Sequence, residues 1–170
     1  MATLTVTHTE DLTLNGVQQG TTNTLSIASV GSVYKRIVTI PSGVDTTILV
    51  FKDSVTDGNL DQPQSAGGCL RRDHTLYFRI TNIDSAHDCA VNIIGDANTG
   101  DDGIEDTTDG IAAIGLKAGH SMLWGTVEDS FQVHDGAITI LTEAALENIQ
   151  RVVIEGGSED VDIEIFVAGT

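Results

Sequence analysis

A chain of 170 residues with 25 Asp and Glu against 8 Lys and Arg carries a formal net charge of −17, so partners that are themselves polyanions, namely DNA, RNA and acidic membrane surfaces, are poor candidates. One domain of this length buries roughly 70% of its unfolded surface and needs neither metal nor disulfide to fold. Aromatics make up only 4% of residues, so the core must come mostly from Val, Ile, Leu and Ala, whose β-branched members favour strands.

Taken in order, Met1-Ala-Thr-Leu-Thr-Val-Thr7 alternates where a secretory signal would need a charged segment and an apolar block. Apolar runs such as Ile48 to Phe51 fall far short of the ~20 residues of a membrane-spanning helix. A soluble, unsecreted chain is expected, with Cys69 and Cys89 as reduced thiols. Leu4 and Val6, Leu12 and Leu14, then Leu25 and Ile27 lie in Thr-rich alternating segments broken by Asn15-Gly16 and Gly20. These predict short strands or an extended arm over residues 1–30. Segments 33–40 and 46–51 are denser in β-branched residues, with Pro41-Ser-Gly43 as the turn between them, and they predict a central pair. Residues 52–72 lack any sustained period and read as a long surface loop.

Leu76, Phe78 and Ile80 alternate in one strand, and Cys89, Val91 and Ile93 in another. Their parity fits a hairpin that opposes 78 with 93, 80 with 91 and 82 with 89 and buries all six apolar side chains on one face. A second Gly- and Asp-rich loop spans 95–110. Ile111 to Leu116 and Ser121 to Trp124 then flank a tight connection at Lys117-Ala-Gly119. After a strand at 137–141, Thr142 to Ile149 predicts one short peripheral helix with Thr142 as N-cap. Asp160-Val-Asp-Ile-Glu-Ile-Phe-Val167 closes the chain with Val161, Ile163, Ile165 and Val167 on one face. About ten strands without alternating helices predict an all-β, antiparallel, jelly-roll-like sandwich in a single domain.

Candidate chemistries are sparse. Cys69, His74, His87 and Cys89 offer zinc-type ligands, but the expected hairpin places His74 at its open end and His87 and Cys89 beside its turn, too far apart to share one ion. Asp96, Asn98, Asp101 and Asp102 lie on a loop resembling part of a calcium site. Gly100 stands where a third Asp or Asn belongs, and Thr107 takes the place of the closing Glu. No cofactor is expected: the loop reads as a solvated acidic segment, with calcium as the alternative. His87-Asp88 and His134-Asp135 are sequence neighbours without a nucleophile elbow, and both pairs read as turn residues. Gly115-Leu-Lys-Ala-Gly119 lacks the ending of a phosphate loop. A sugar platform would need exposed aromatics, and the loops 52–72 and 95–110 contain none. A non-enzymatic protein is expected.

Glu10-Asp-Leu-Thr-Leu-Asn-Gly16, Lys35-Arg-Ile-Val-Thr-Ile-Pro41, Tyr77-Phe-Arg-Ile-Thr-Asn82, Leu116-Lys-Ala-Gly-His-Ser121 and Val161-Asp-Ile-Glu-Ile-Phe-Val167 together resemble small β-rich virion proteins of tailed bacteriophages, especially those of marine samples. The resemblance is to capsid decoration or cement proteins and implies a virion structural protein on the outer capsid surface. Such a protein is made in the host cytoplasm, bridges neighbouring major capsid protein subunits and forms a homo-oligomer, with a trimer favoured. The acidic balance agrees, because a polyanion inside the shell would face packaged DNA. A receptor- or glycan-binding module of a head or tail fibre is the alternative, and an acidic DNA mimic a third reading. Pairing of residues 1–30 with a neighbouring subunit would cover an exposed sheet edge.

Overall fold

The computed structural model describes residues 2–52, 68–71, 74–95, 110–125, 132–134 and 146–170. The N-terminal part contains β1 (Ala2–Thr9), β2 (Thr13–Leu14), β3 (Val17–Gln18) and β4 (Thr22–Val30). The body follows with β5 (Ser32–Ile40), β6 (Asp45–Lys52), β7 (Gly68–Arg71), β8 (Thr75–Asn82), β9 (Cys89–Gly95), β10 (Gly110–Leu116), β11 (Ser121–Gly125), β12 (Gln132–His134), β13 (Leu146–Gly156) and β14 (Val161–Gly169).

Two sheets make the body. One runs β11-β8-β14-β5, and the other runs β10-β9-β13-β6-β7 with β12 added beside β13. Following the chain, β5, β8, β11 and β14 belong to the first sheet and β6, β9, β10 and β13 to the second, so every connection among these eight crosses the sandwich except β9 to β10. That is jelly-roll connectivity, and the fold is an all-β sandwich as its two-residue period predicts. Between the sheets lies an aliphatic core in which Val38, Ile40, Phe78, Ile80, Ile163 and Ile165 from the first sheet meet Ile48, Val91, Ile93, Val152 and Ile154 from the second. Phe78 anchors its middle, with its ring centroid 6.0 Å from Phe51 and 4.5 Å from Trp124. Because every second residue of β14 faces the core, Val161, Ile163, Ile165 and Val167 are all buried, as expected.

Several expectations are corrected. Strands β8 and β9 are not a hairpin: β8 pairs with β11 and β14, and β9 with β10 and β13, so they face each other across the core. Phe78, Ile80, Cys89, Val91 and Ile93 are nevertheless buried, because inward faces of opposed sheets satisfy the same parity. Leu76 is only partly buried and packs in a separate cluster. The segments 33–40 and 46–51 likewise lie in different sheets, and β5 is an edge strand rather than a central one. Leu146 to Ile149 begin β13 instead of ending a helix, since long-range pairing with β9 and β12 overrides the helical propensity of Ala, Leu and Glu. Residues 142–145 and the strand expected at 137–141 lie outside the described residues. Gly68–Arg71, expected as loop, is a short strand parallel to β6.

Candidate functional site

The N-terminal segment is a ribbon whose construction can be read residue by residue. Its tip is a two-residue loop in which Asn15 and Gly16 have φ of 53° and 79°, the doubly left-handed geometry that matches strand twist and that Asn-Gly tolerates best. Strands β2 and β3 flank it, and Gln18 donates to the Asp11 carboxylate at 2.8 Å. The ribbon then narrows where the Glu10 N–H donates to the Thr21 carbonyl at 2.8 Å. Gly20 is obligatory at this point, because a Cβ there would stand 1.9 Å from the Glu10 carbonyl oxygen.

Below the neck, β1 and β4 pair antiparallel with Thr5 opposite Ser26, Thr7 opposite Thr24 and Thr9 opposite Thr22 on one face. The other face carries Leu4 opposite Ile27, Val6 opposite Leu25 and His8 opposite Asn23. Only the base of this second face is covered. Ile27 and Val30 are buried against Tyr77 and Ala168, with Leu4, Val6, Leu76 and Phe166 packed around them. Phe166 meets Tyr77 edge-on at 6.1 Å. The base therefore sits on the outer side of β8 and β14, where Ala168 and Phe166 would otherwise face water.

From Thr7 to Ser26 every residue is exposed except the half-buried Gly20. Leu12, Leu14 and Val17 at the tip are 55%, 57% and 57% exposed, and Leu25 is 39% exposed. A two-stranded ribbon without a packed face is marginal in water, and covering these four side chains would recover on the order of 1 kcal/mol each.

Beside the ribbon base, the outer face of β5, β14 and β8 holds a small charged cluster. Glu164 lies between Lys35, whose Nζ is 2.9 Å away, and Arg79. The Lys35 hydrogen bond holds the Glu164 carboxyl below the usual glutamate range; desolvation opposes it, and the Arg79 hydrogen bond and the two positive charges add to the lowering. The Arg79 guanidinium also lies 5.7 Å from the Phe166 ring centroid.

At one end of the sandwich, buried Asn82 ties two loops together. Its amide donates to the carbonyls of His87 at 2.8 Å and Leu116 at 3.2 Å, and its Oδ1 accepts the Asp84 N–H at 3.0 Å. Sequence parity gave Asn82 a place but no role; a polar residue at an inward position was the available signal.

Asp96, Asn98, Asp101 and Asp102 lie outside the described residues, as does Asp135. Among the described residues, no group of three His, Cys, Asp or Glu side chains could hold a metal ion. Cys89 is a free, buried thiol beside the Leu116 carbonyl at 3.8 Å, and burial, helped by Asp88, pushes its pKa up to about 11. His87 and Asp88 lie in the loop between β8 and β9, as expected, whereas His134, expected in a turn, ends strand β12 because it pairs with Leu146 of β13. Asp84 closes the turn by accepting the Ala86 and His87 N–H groups at 2.7 and 2.8 Å, which lower its pKa. Asp88 binds Lys117 and the Ala118 N–H, and its pKa is lowered by them in that order. A pocket of about 460 Å³ lies on the outer side of the second sheet, with Asp45, Asn92 and Arg151 around Ile94, Ile111 and Val153. It has no aromatic lining residue on which a sugar ring could stack.

No protein-family model matches the chain, and no curated protein matches it.

Proposed function

We propose that this chain is a non-enzymatic virion structural protein, a capsid decoration or cement protein that sits on the outer shell and bridges coat subunits. The observation that carries the reading is the ribbon: a two-sheet β-sandwich bears a twenty-residue extension, Thr7 to Ser26, that is exposed on both faces and ends in Leu12, Leu14 and Val17. Such a segment is costly to leave bare and useful only when another surface covers it. Jelly rolls serve viral shells, lectins and other roles alike, so the fold supports the reading without deciding it. A charge of −17 further favours the outside of a shell over a surface that faces packaged nucleic acid. A homo-oligomer, with a trimer preferred from the resemblance to decoration proteins, would place several arms toward neighbouring coat subunits at once, and linked weak contacts gain strength through effective concentration.

The test is reconstitution on purified shells that lack this protein. The full chain is expected to cosediment with them and to raise the temperature at which they release their contents. A chain that stays in the supernatant over a range of salt concentrations contradicts the proposal.

A further inference from the structure

We infer that the arm of one copy lies along the free edge of β5 in a second copy, extending the sheet β11-β8-β14-β5. The inference rests on the reading that copies associate through the arm, and it names the acceptor.

The acceptor has the features of an unfinished sheet edge. Strand β5 pairs with β14 over nine positions without a bulge, from Ile40 opposite Val161 to Ser32 opposite Gly169. On its other side it has no strand partner among the described residues. Val33 and Ile37, on its outer face, are 59% and 57% exposed. Edge strands of this length and apolarity are usually shortened, bulged, interrupted by proline or covered, because their bare N–H and C=O groups template further pairing. In β5 only Lys35 and Arg36 act against indiscriminate pairing.

The donor has matching needs. Strands β1 and β4, of eight and nine residues, pair with each other and leave both outer edges of the ribbon without a strand partner among the described residues. The chain cannot join its own two ends of this contact. Gly31 alone separates β4 from β5, whereas the tightest hairpin loop has two residues, and the Gly31 N–H is already committed to the Gly169 carbonyl at 2.8 Å. Strand β4 therefore cannot complete the edge of β5 through a hairpin of its own chain, and among the described residues that edge is open to a second copy.

Charge selects the same pairing. Residues 1–30 contain two of the 25 acidic side chains, Glu10 and Asp11, and none of the 8 basic ones. Their charge is −2, and the remainder of the chain carries −15. Strand β5 holds two of the 8 basic side chains, Lys35 and Arg36. Two copies repel each other over most orientations, but an arm laid on β5 brings a ribbon of charge −2, its two carboxylates at and just beyond the neck, to a strand of the other copy that holds Arg36 beside the Lys35–Glu164 ion pair. Donor and acceptor are different surfaces, so the contact is head-to-tail and closes into a ring where the rotation allows.

Complementation between two full-length variants tests this. Leu12→Glu/Leu14→Glu/Val17→Glu spoils the arm, and Val33→Glu/Ile37→Glu spoils the edge; all five side chains are exposed, and unchanged Trp124 fluorescence checks that each variant retains the folded body. In light scattering the wild-type chain is expected to be an oligomer, each variant alone a monomer, and their equimolar mixture a 1:1 heterodimer, because one intact arm then meets one intact edge. A monomeric wild-type chain, a variant that keeps the wild-type mass, or a mixture that remains monomeric would each overturn the assignment. Detection of the chain in purified particles is independent of this result: a monomer that still binds shells removes the β5 contact and leaves the virion reading standing.

Discussion

Two buried or half-buried groups report on whether the body packs as described. Cys89 combines burial with a thiol pushed up to about 11, so very little reactive thiolate exists near pH 8 and reagent cannot reach it. Peptide mapping after a brief exposure to iodoacetamide should find the Cys89 peptide unlabelled in the native chain and fully labelled after denaturation without reductant. Rapid native labelling would mean that the core around Leu116 is open. Glu164, 17% exposed in its side chain, gives a pH-dependent test. Its pKa is depressed in the folded chain, so its ion pairs stabilise the fold above the unfolded value near ~4.3 and lose that contribution as pH falls through the lower folded value. Glu164→Gln should cost about 1 kcal/mol at pH 7, and the difference from wild type should shrink below pH ~5. A difference that stays constant into acid would assign the effect to packing against Lys35 and Arg79 instead of charge.

Among the elements, strands were the most legible feature and their partners the least. Alternation in β14 and the Asn15-Gly16 turn each state their conformation locally, through side-chain parity and through residues that accept positive φ. Pairing is nonlocal, and parity is blind to it. A strand such as β8 buries Phe78 and Ile80 whether β9 lies beside it or opposite it, so a hairpin and a facing pair of sheets leave the same pattern. The residues 142–149 misled for the opposite reason: their local preference is helical, and the pairing that recruits Leu146 to Ile149 into β13 comes from strands distant in sequence. Of the arm, its extended character was legible, whereas its seating on Tyr77, Phe166 and Ala168 was not, because a strand's outer face gives no sign of what will cover it. The neck at Gly20 supplies a test at this scale. Gly20→Ala must push apart the crossing at Glu10, and amides of Thr7 to Thr9 and Thr22 to Thr24 should lose about tenfold in hydrogen-exchange protection, equivalent to roughly 1.4 kcal/mol. The melting temperature of the body should change little, since the ribbon base does not touch the neck. Unchanged protection would show that the ribbon is held by something other than its own pairing.

For the molecule as a whole, the described residues combine an aliphatic two-sheet sandwich, a dominant negative charge and one exposed ribbon. The body explains how the chain stays folded with so few aromatics: eight crossing strands bring Ile, Val and Leu from both sheets onto Phe78 without the need for large rings. A charge of −17 sets copies against one another, so the proposed pairing of the arm with β5 would have to be selective. The most direct measurement of the proposed role is immunogold electron microscopy of intact, purified particles with antibody raised against this chain. The outer-shell reading predicts gold distributed over the surface of the head in particles that have not been opened. Labelling confined to tail fibres, or appearing only after particles are disrupted, would contradict it.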